Sequence, residues 1–404
     1  MRDCRTRLVL DHATVLDVVD GVLIPGQRIT LCGDRIERIE AAASPAPDEA
    51  GRVVDVGGKT VMPGLCDAHV HVTAWTADLS QVDRTSSNYT AIRAAGLMEA
   101  MLMRGFTTVR DEGGADYGLA LAVDEGLISG PRVLFCGEVL SPTGGHGDSR
   151  RRGEDFPLPH LCDGVDAVRK ACREEIRKGA NHIKLMLSGG VASPTDRITN
   201  LQFSEDEVRA AVEEADMAGL YCTGHTYTAR AVNRAIRLGV RSLEHCNLID
   251  ESSVELFLEH DAFMVPTLAT YEALAAEGVE AGMPKELNDK VYTVLDAGIG
   301  ALRMAHEAGV KLAYGTDLLG QMQRLQLTEF AIRSRVQDPI DIIRSATTVA
   351  AELFNKVGEI GVVAEGARAD LLVVDGDPLS DLVCLQDPDR YLTAIVKGGE
   401  LVKG

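Results

Sequence analysis

Apolar positions fall into two textures along the chain. Over residues 1–58, short β-rich runs at 7–10, 13–16, 21–24, 27–32, 35–39 and 53–56 are separated by turn residues such as Asp20-Gly21, Pro25-Gly26 and Cys32-Gly33-Asp34, which predicts a series of short strands. The far end repeats this texture at 361–363, 370–374, 392–397 and 400–402. Neither end has enough strands for a sheet of its own, so both are expected to combine into one small β-sandwich. Between them the pattern changes. Apolar runs at 61–72, 106–109, 132–135, 182–187, 221–223, 242–244, 263–265 and 311–314 alternate with segments of helical spacing such as 204–217, 228–238 and 291–308. Ser204-Glu205-Asp206-Glu207 reads as a capping box opening one of those helices. Eight strands with helical connections predict an α/β chain: a (β/α)8 TIM barrel over residues 59–357, with sandwich parts at 1–58 and 358–404. Segments 318–336 and 339–355 are expected to be further helices packed on the barrel.

Composition narrows the class of protein without changing that picture. The chain has 404 residues, 45% apolar and 25% charged, an ordinary globular balance that leaves room for a large core. Its apolar runs fall well short of the roughly 20 residues that a membrane helix needs. With no signal-peptide pattern either, a cytoplasmic protein without membrane partners is expected. A net charge of −20 disfavours nucleic acid and anionic membranes as partners, while leaving room for a locally positive small-molecule site. Nine cysteines without a CxxC pair predict reduced thiols, with Cys66 and Cys246 as core filler.

The candidate chemistry lies at the strand ends. In an extended strand, His69 and His71 point to the same side, as a divalent-metal site requires. Arg110 and Asp111 end the second predicted strand, Lys184 lies in the fourth, His225 follows the fifth, His245 the sixth and Asp317 the eighth. In a parallel barrel these ends meet on one face, where catalytic groups collect.

At these positions the chain resembles the amidohydrolase superfamily of metal-dependent hydrolases. Pro63-Gly64-Leu65-Cys66-Asp67-Ala68-His69-Val70-His71, Thr107-Thr108-Val109-Arg110-Asp111, Ile183-Lys184-Leu185, Gly224-His225-Thr226, Glu244-His245 and Gly315-Thr316-Asp317 occur in the family's order. Glu365-Gly366-Ala367-Arg368-Ala369-Asp370-Leu371 closes the match, which covers nearly the whole length. The resemblance implies that His69, His71 and Asp317 hold one zinc ion, that His225 and His245 hold a second, and that a carboxylated Lys184 bridges them. A carbamate offers two anionic oxygens where a free ammonium would repel both ions. Two metals lower the pKa of a water and polarise a carbonyl. Asp317 would then carry the water's proton to a leaving amine. Weighed against these roles are a salt-bridged Lys184, core histidines at His225 and His245, and a helix-capping Asp317.

Around that centre, His146 in the loop Ser141-Pro142-Thr143-Gly144-Gly145-His146-Gly147-Asp148 is expected to donate a hydrogen bond to a substrate carbonyl or carboxylate, and Tyr227 to reach a substrate carboxylate. Arg110 and Asp111 are expected to form a buried ion pair, His182 to be structural, and Arg150-Arg151-Arg152 to be a solvated loop. His12, His160, His260 and His306 are expected on the surface. Loops 73–88 and 269–289 are expected to wall the pocket, with Trp75, Tyr89 and Tyr271 offering an aromatic subsite. The stretch from Lys184 to Pro194 and the His146 loop are similar to the imidazolonepropionase-like group that includes Xaa-Pro dipeptidases and carboxypeptidases. True imidazolonepropionases are expected to lack the bridging lysine. The implied activity is release of a C-terminal amino acid from a dipeptide or N-acyl amino acid. The alternative is a xenobiotic amide, urea or carbamate hydrolase acting, for example, on ochratoxin-type mycotoxins or phenylureas. A catalytically silent scaffold is a more remote reading, because all six ligand and bridge positions are filled. Relatives of this group imply a homo-oligomer, an octamer or a dimer.

Overall fold

Residues 7–42 and 51–404 are described by the structure, a computed structural model. β1 (Arg7–Asp17) and β2 (Val22–Cys32) each run through a point where the sequence suggests a break. His12 takes a left-handed φ of 54°, and the β1–β2 register shifts between Leu10 and Ala13, so the strand bends instead of ending. β3 (Arg35–Ala41), β4 (Arg52–Asp55) and β5 (Thr60–Pro63) follow. The first half of β1 pairs in parallel with β4 and its second half with β5.

The barrel strands are β6 (Leu65–Val70), β7 (Phe106–Asp111), β8 (Arg132–Phe135), β9 (Ile183–Met186), β10 (Cys222–Thr228), β11 (Ser242–Leu248), β12 (Phe263–Val265) and β13 (Lys311–Leu312). β6, β7 and β8 are successive neighbours in one sheet, and β9 to β13 in another. Backbone hydrogen bonds join the two sheets on both sides. Leu140 N donates to Lys184 O at 2.8 Å and Met186 N to Leu140 O at 2.9 Å, while Ala68 N donates to Tyr314 O at 2.7 Å and Asp317 N to His69 O at 2.8 Å. The result is a (β/α)8 barrel. Its core gathers inward and helix-facing apolar residues such as Leu185, Leu243, Met264, Val232 and Leu302, all buried.

Local chemistry explains the helices. The helix Glu205–Met217 begins with the expected capping box, Ser204 and Glu207 satisfying each other's backbone N–H. Thr228 Oγ1 caps the helix Ala229–Arg237, and the helix Asn288–Ala308 ends at a left-handed Gly309. Segment 318–336 is less regular than expected, a 3-10 turn Gly320–Leu325 followed by the helix Thr328–Arg333. Segment 339–355 breaks into Pro339–Ser345 and Thr348–Leu353.

The chain end returns to the first sheet. β14 (Leu371–Val374), β15 (Leu392–Lys397) and β16 (Glu400–Lys403) extend it in the order β16-β15-β14-β5-β1-β2-β3, with β4 alongside β1. Leu8, Leu10, Ile29, Leu31, Val61, Leu371, Val373 and Val396 bury together as its core. The predicted strand at 361–363 is absent, because Gly361 turns the chain at a φ of 76°. The chain divides into two compact units, one drawn from both ends plus residues 101–108, the other from residues 67–100 and 109–336. Cys66, Cys136, Cys162, Cys172, Cys222, Cys246 and Cys384 are buried free thiols, whereas Cys32 is disulfide-bonded, against the expectation of reduced cysteines throughout. Among the described residues no helix is long and apolar enough to cross a membrane.

Candidate active site

His69 lies near the end of β6 and His71 just beyond it, both facing Asp317. Their Nε2 atoms stand 3.5 and 3.2 Å from Asp317 Oδ1. The three ligand atoms fit within 4.8 Å of one another, a spacing that one metal ion can span. Asp67, two residues before His69, holds this end of the barrel together. Its carboxyl accepts from His69 N at 3.1 Å, Thr316 N at 3.2 Å, Thr316 Oγ1 at 2.6 Å and Gln326 Nε2 at 2.8 Å. Gly315 is required here, since a Cβ would lie 2.3 Å from Val265 Cγ1.

His225 and His245 project from β10 and β11 toward the same space. His245 Nε2 and His225 Nδ1 are 2.8 Å apart, and His245 Nδ1 lies 2.8 Å from Thr267 Oγ1. His225 Nε2 is buried with no hydrogen-bond partner among the described residues, an unmet demand that a metal ion would satisfy. His245, Cys246, Thr267 and Asp317 all take positive φ, between 46° and 73°. Non-glycine backbone in that region is strained and concentrates at functional sites.

Lys184 is buried beside Glu112, with Nζ 2.8 Å from Glu112 Oε2. Glu112 also accepts from Thr223 Oγ1 at 2.8 Å and lies 3.0 Å from Arg110 Nε and 3.1 Å from His182 Nε2. Arg110 Nη2 donates to Glu244 Oε1 at 2.9 Å, and Glu244 Oε2 stands 2.8 Å from His69 Nδ1. Arg110 therefore pairs with Glu112 and Glu244, not with Asp111. Successive residues in a strand face opposite ways, so 110 and 112 share the barrel interior while Asp111 turns away. Asp111 instead accepts from the backbone N–H of Val72, Gly113 and Ala115 at 2.7–3.0 Å. Sequence reasoning missed Glu112 and Glu244, although the period of two from Arg110 pointed to the first. His182 is fully buried, with Nε2 3.1 Å from Glu112 Oε1.

Electrostatics follow this packing. Burial works against protonation of His71, but Asp317 and Asp111 raise it to about 9. Burial would raise the Asp317 carboxyl, yet His69, His71 and His245 hold it below the usual carboxylate range. Burial pushes His225 and His245 well below an ordinary imidazole, which keeps their lone pairs available.

A cavity of about 200 Å³ is lined by all six of these strand-end groups and also by His146 and Tyr227. The His146 ring stacks on His225 with centroids 4.0 Å apart, and burial lowers it to about 4. Tyr227 stacks on His245 at 5.2 Å, and its hydroxyl accepts from Tyr271 Oη at 3.0 Å. Tyr271 lines the cavity from the helix Leu268–Glu277, which occupies part of an expected loop. Trp75 and Tyr89 pack edge to face on each other at 5.6 Å. His160 departs from expectation: it is buried, lines the cavity, and its Nε2 sits 2.8 Å from Gly147 O. Arg150 is tied to Asp148 by two hydrogen bonds of 2.8 and 2.7 Å, while Arg151 reaches the cavity wall.

The Amidohydrolase family model matches residues 60–402. An ochratoxinase from Aspergillus niger is 33% identical over 98% of this chain and 88% of its own length. The solved structure of a prolidase complexed with N-methylphosphonate-L-proline superposes with a TM-score of 0.95 at 48% identity, covering 98% of this chain and all of that one. A Xaa-Pro dipeptidase with methionine bound in its active site gives 0.90 at 28% identity, over 99% of this chain and all of that one. With its barrel, its terminal sheet and this cluster of histidines and carboxylates, the chain belongs to the amidohydrolase family and is a hydrolase acting on carbon–nitrogen bonds.

Proposed function

We propose that the protein is a binuclear zinc hydrolase that releases a C-terminal amino acid from a dipeptide or an N-acyl amino acid. The observation that carries the metal reading is the meeting of His69, His71, Lys184, His225, His245 and Asp317 around one cavity, with His225 Nε2 buried and unpartnered among the described residues. In this reading His69, His71 and Asp317 would hold one ion and His225 and His245 the other, with a carboxylated Lys184 supplying anionic oxygens to both. Two ions there would supply Lewis acidity that activates water and polarises the scissile carbonyl. The protein's own part is proton traffic and orientation. Asp317 takes the proton from water and passes it to the leaving amine. His146, stacked on His225, and Tyr227, stacked on His245, line the cavity and orient the substrate.

The substrate class rests on similarity. A prolidase 48% identical to this chain binds an N-phosphonyl proline, whose tetrahedral phosphorus mimics an acyl-proline amide under attack by water. The 33% identity to an ochratoxinase favours a second reading, a hydrolase of xenobiotic amides. One experiment separates them: zinc-loaded protein, supplied with bicarbonate, is assayed on Xaa-Pro, Xaa-Arg and Xaa-hydrophobic dipeptides, N-acyl amino acids, ochratoxin A, phenylureas and carbamates. Release of a free amino acid from a peptide subset, abolished in Lys184→Ala and Asp317→Asn, is the expected result. Turnover of ochratoxin A, a urea or a carbamate, with silence on every peptide, would move the protein to the second reading.

A further inference from the structure

The His146 ring has almost no freedom. One face stacks on His225, and the other lies so close to Gly190 that a Cβ there would sit 2.1 Å from ring Cε1. Its backbone N donates to Gln202 Oε1 at 2.9 Å, and its Nδ1 lies 3.0 Å from Ser193 Oγ. What Ser193 can offer is decided by its other neighbours. Ser193 Oγ forms a short hydrogen bond with Asp196 Oδ1 and lies 3.2 Å from Gly190 O, both acceptors.

The Asp196 carboxyl is itself met by donors. Gln202 Nε2 approaches at 2.8 Å, Gly190 N at 3.4 Å and Lys290 Nζ at 3.4 Å. Lys290 also donates to Gly190 O at 3.0 Å and Ser193 O at 2.8 Å, pinning the whole turn. A hydroxyl has one hydrogen, and here it goes to the carboxyl. The Ser193 oxygen then faces His146 with a lone pair, so the proton of a neutral imidazole must sit on Nδ1. That leaves Nε2 as a lone pair, on a ring that lines the cavity.

We propose that Asp196, acting through Ser193 and backed by Lys290, is a positioning residue that fixes His146 as the Nδ1–H tautomer, so that His146 accepts a hydrogen bond from an ammonium or amide N–H of the substrate. This reverses the direction expected for His146 from the sequence, where it donates to a carbonyl or carboxylate. It rests on the amide-hydrolase reading for the substrate, but the tautomer itself does not. A substrate with no N–H near the scissile bond, beyond the reach of His146, gains nothing from this contact.

The test uses the full chain labelled with ¹⁵N-histidine, as purified and after zinc loading. Long-range ¹H–¹⁵N spectra report the tautomer, and loss of one signal set in His146→Gln assigns it. The expected result is Nδ1–H in the unaltered protein. Ser193→Ala removes the acceptor, and Asp196→Asn supplies an amide that can donate to Ser193 and free its hydrogen for His146. Both are expected to give mixed or Nε2–H tautomers. Ser193→Thr keeps the hydroxyl and is expected to restore Nδ1–H. With the best amide substrate, Ser193→Ala and Asp196→Asn should raise KM about tenfold while kcat and zinc content change less than about twofold. An Nε2–H tautomer in the unaltered protein overturns the proposal. So does a KM that stays put while the tautomer shifts. Absence of any amide turnover counts against the proposed activity, and the spectra still decide the tautomer.

Discussion

Two buried arginines show how differently the same residue type is used in this chain. Arg28, in the terminal sheet, grips one carboxylate with two nitrogens: its Nε and Nη2 donate to the two oxygens of Asp11 at 2.9 and 3.0 Å. Arg110, in the barrel, is a hub. It donates to Ala68 O and Ser242 Oγ, and it stands between Glu112 and Glu244, which in turn hold Lys184, Thr223, His182 and His69. The Arg28 pair ties β1 to β2, so it steadies a sheet. The Arg110 hub ends on two of the proposed metal ligands, so it aims them. Groups that hold ligands from behind set their orientation and basicity as much as the ligands do.

Replacing the hub cation should have the largest effect. Arg110→Met leaves Glu112 and Glu244, both fully buried, without their main counter-charge. Breaking such a buried network costs about 3–5 kcal/mol. The released carboxylates also let Lys184 and His69 drift. Urea denaturation should show that loss, and elemental analysis a fall in bound zinc. Unchanged zinc content in a destabilised variant would mean that the hub is only structural.

This comparison also marks what the sequence can tell. His69, His71, His225, His245 and Asp317 are legible because strand periodicity and position at a strand end place them without knowledge of anything across the barrel. The capping box at Ser204 is legible for the same reason: its partners are local. Glu244 is not legible as a site residue, because its importance comes from Arg110 and His69, 134 and 175 residues away. Expecting Arg110 to pair with Asp111 ignored the alternation that had correctly paired His69 with His71. His160 reads as a surface residue because nothing local buries it. The loop from Ser141 folds back so that Cys162 N donates to Ser141 O at 3.0 Å, and this return carries His160 under the cavity. Lys290 reaches Ser193 across 97 residues and was equally invisible.

A third buried arginine tests whether the barrel's charges cost stability away from the site. Glu329 and Arg333 pack side by side with no exposure, and Glu329 Oε2 accepts from Ala269 N at 2.7 Å. Burial raises the Glu329 carboxyl from 4.5 to about 7, and burial also lowers Arg333. A raised carboxyl binds its proton more tightly in the folded state. Stability is therefore full below about pH 4.5 and is lost as the pH rises through about 7. The expected loss is about 3 kcal/mol. Urea midpoints at either end of that window should show it. Glu329→Gln, which cannot ionise, should flatten the slope, and an equally steep slope in that variant would assign the effect to another group.

The smallest effect is expected where the pair ties two strands of the terminal sheet. Arg28→Met removes the Arg28 guanidinium from Asp11, but that carboxylate keeps a backbone donor, His12 N at 3.2 Å. Its hydrogen bonds to Arg28 hold the Asp11 carboxyl below its usual range, so part of the pair's contribution is already lost in acid. The single substitution should cost about 1–2 kcal/mol, less than the barrel hub because the orphaned charge is still partly satisfied. Adding Asp11→Leu should recover most of that loss, since two apolar side chains replace an ion pair of similar volume. Zinc content and kinetics should be unchanged in both variants. A change in bound zinc would mean that the terminal sheet, too, is coupled to the ligands, and the contrast between the two arginines would fail.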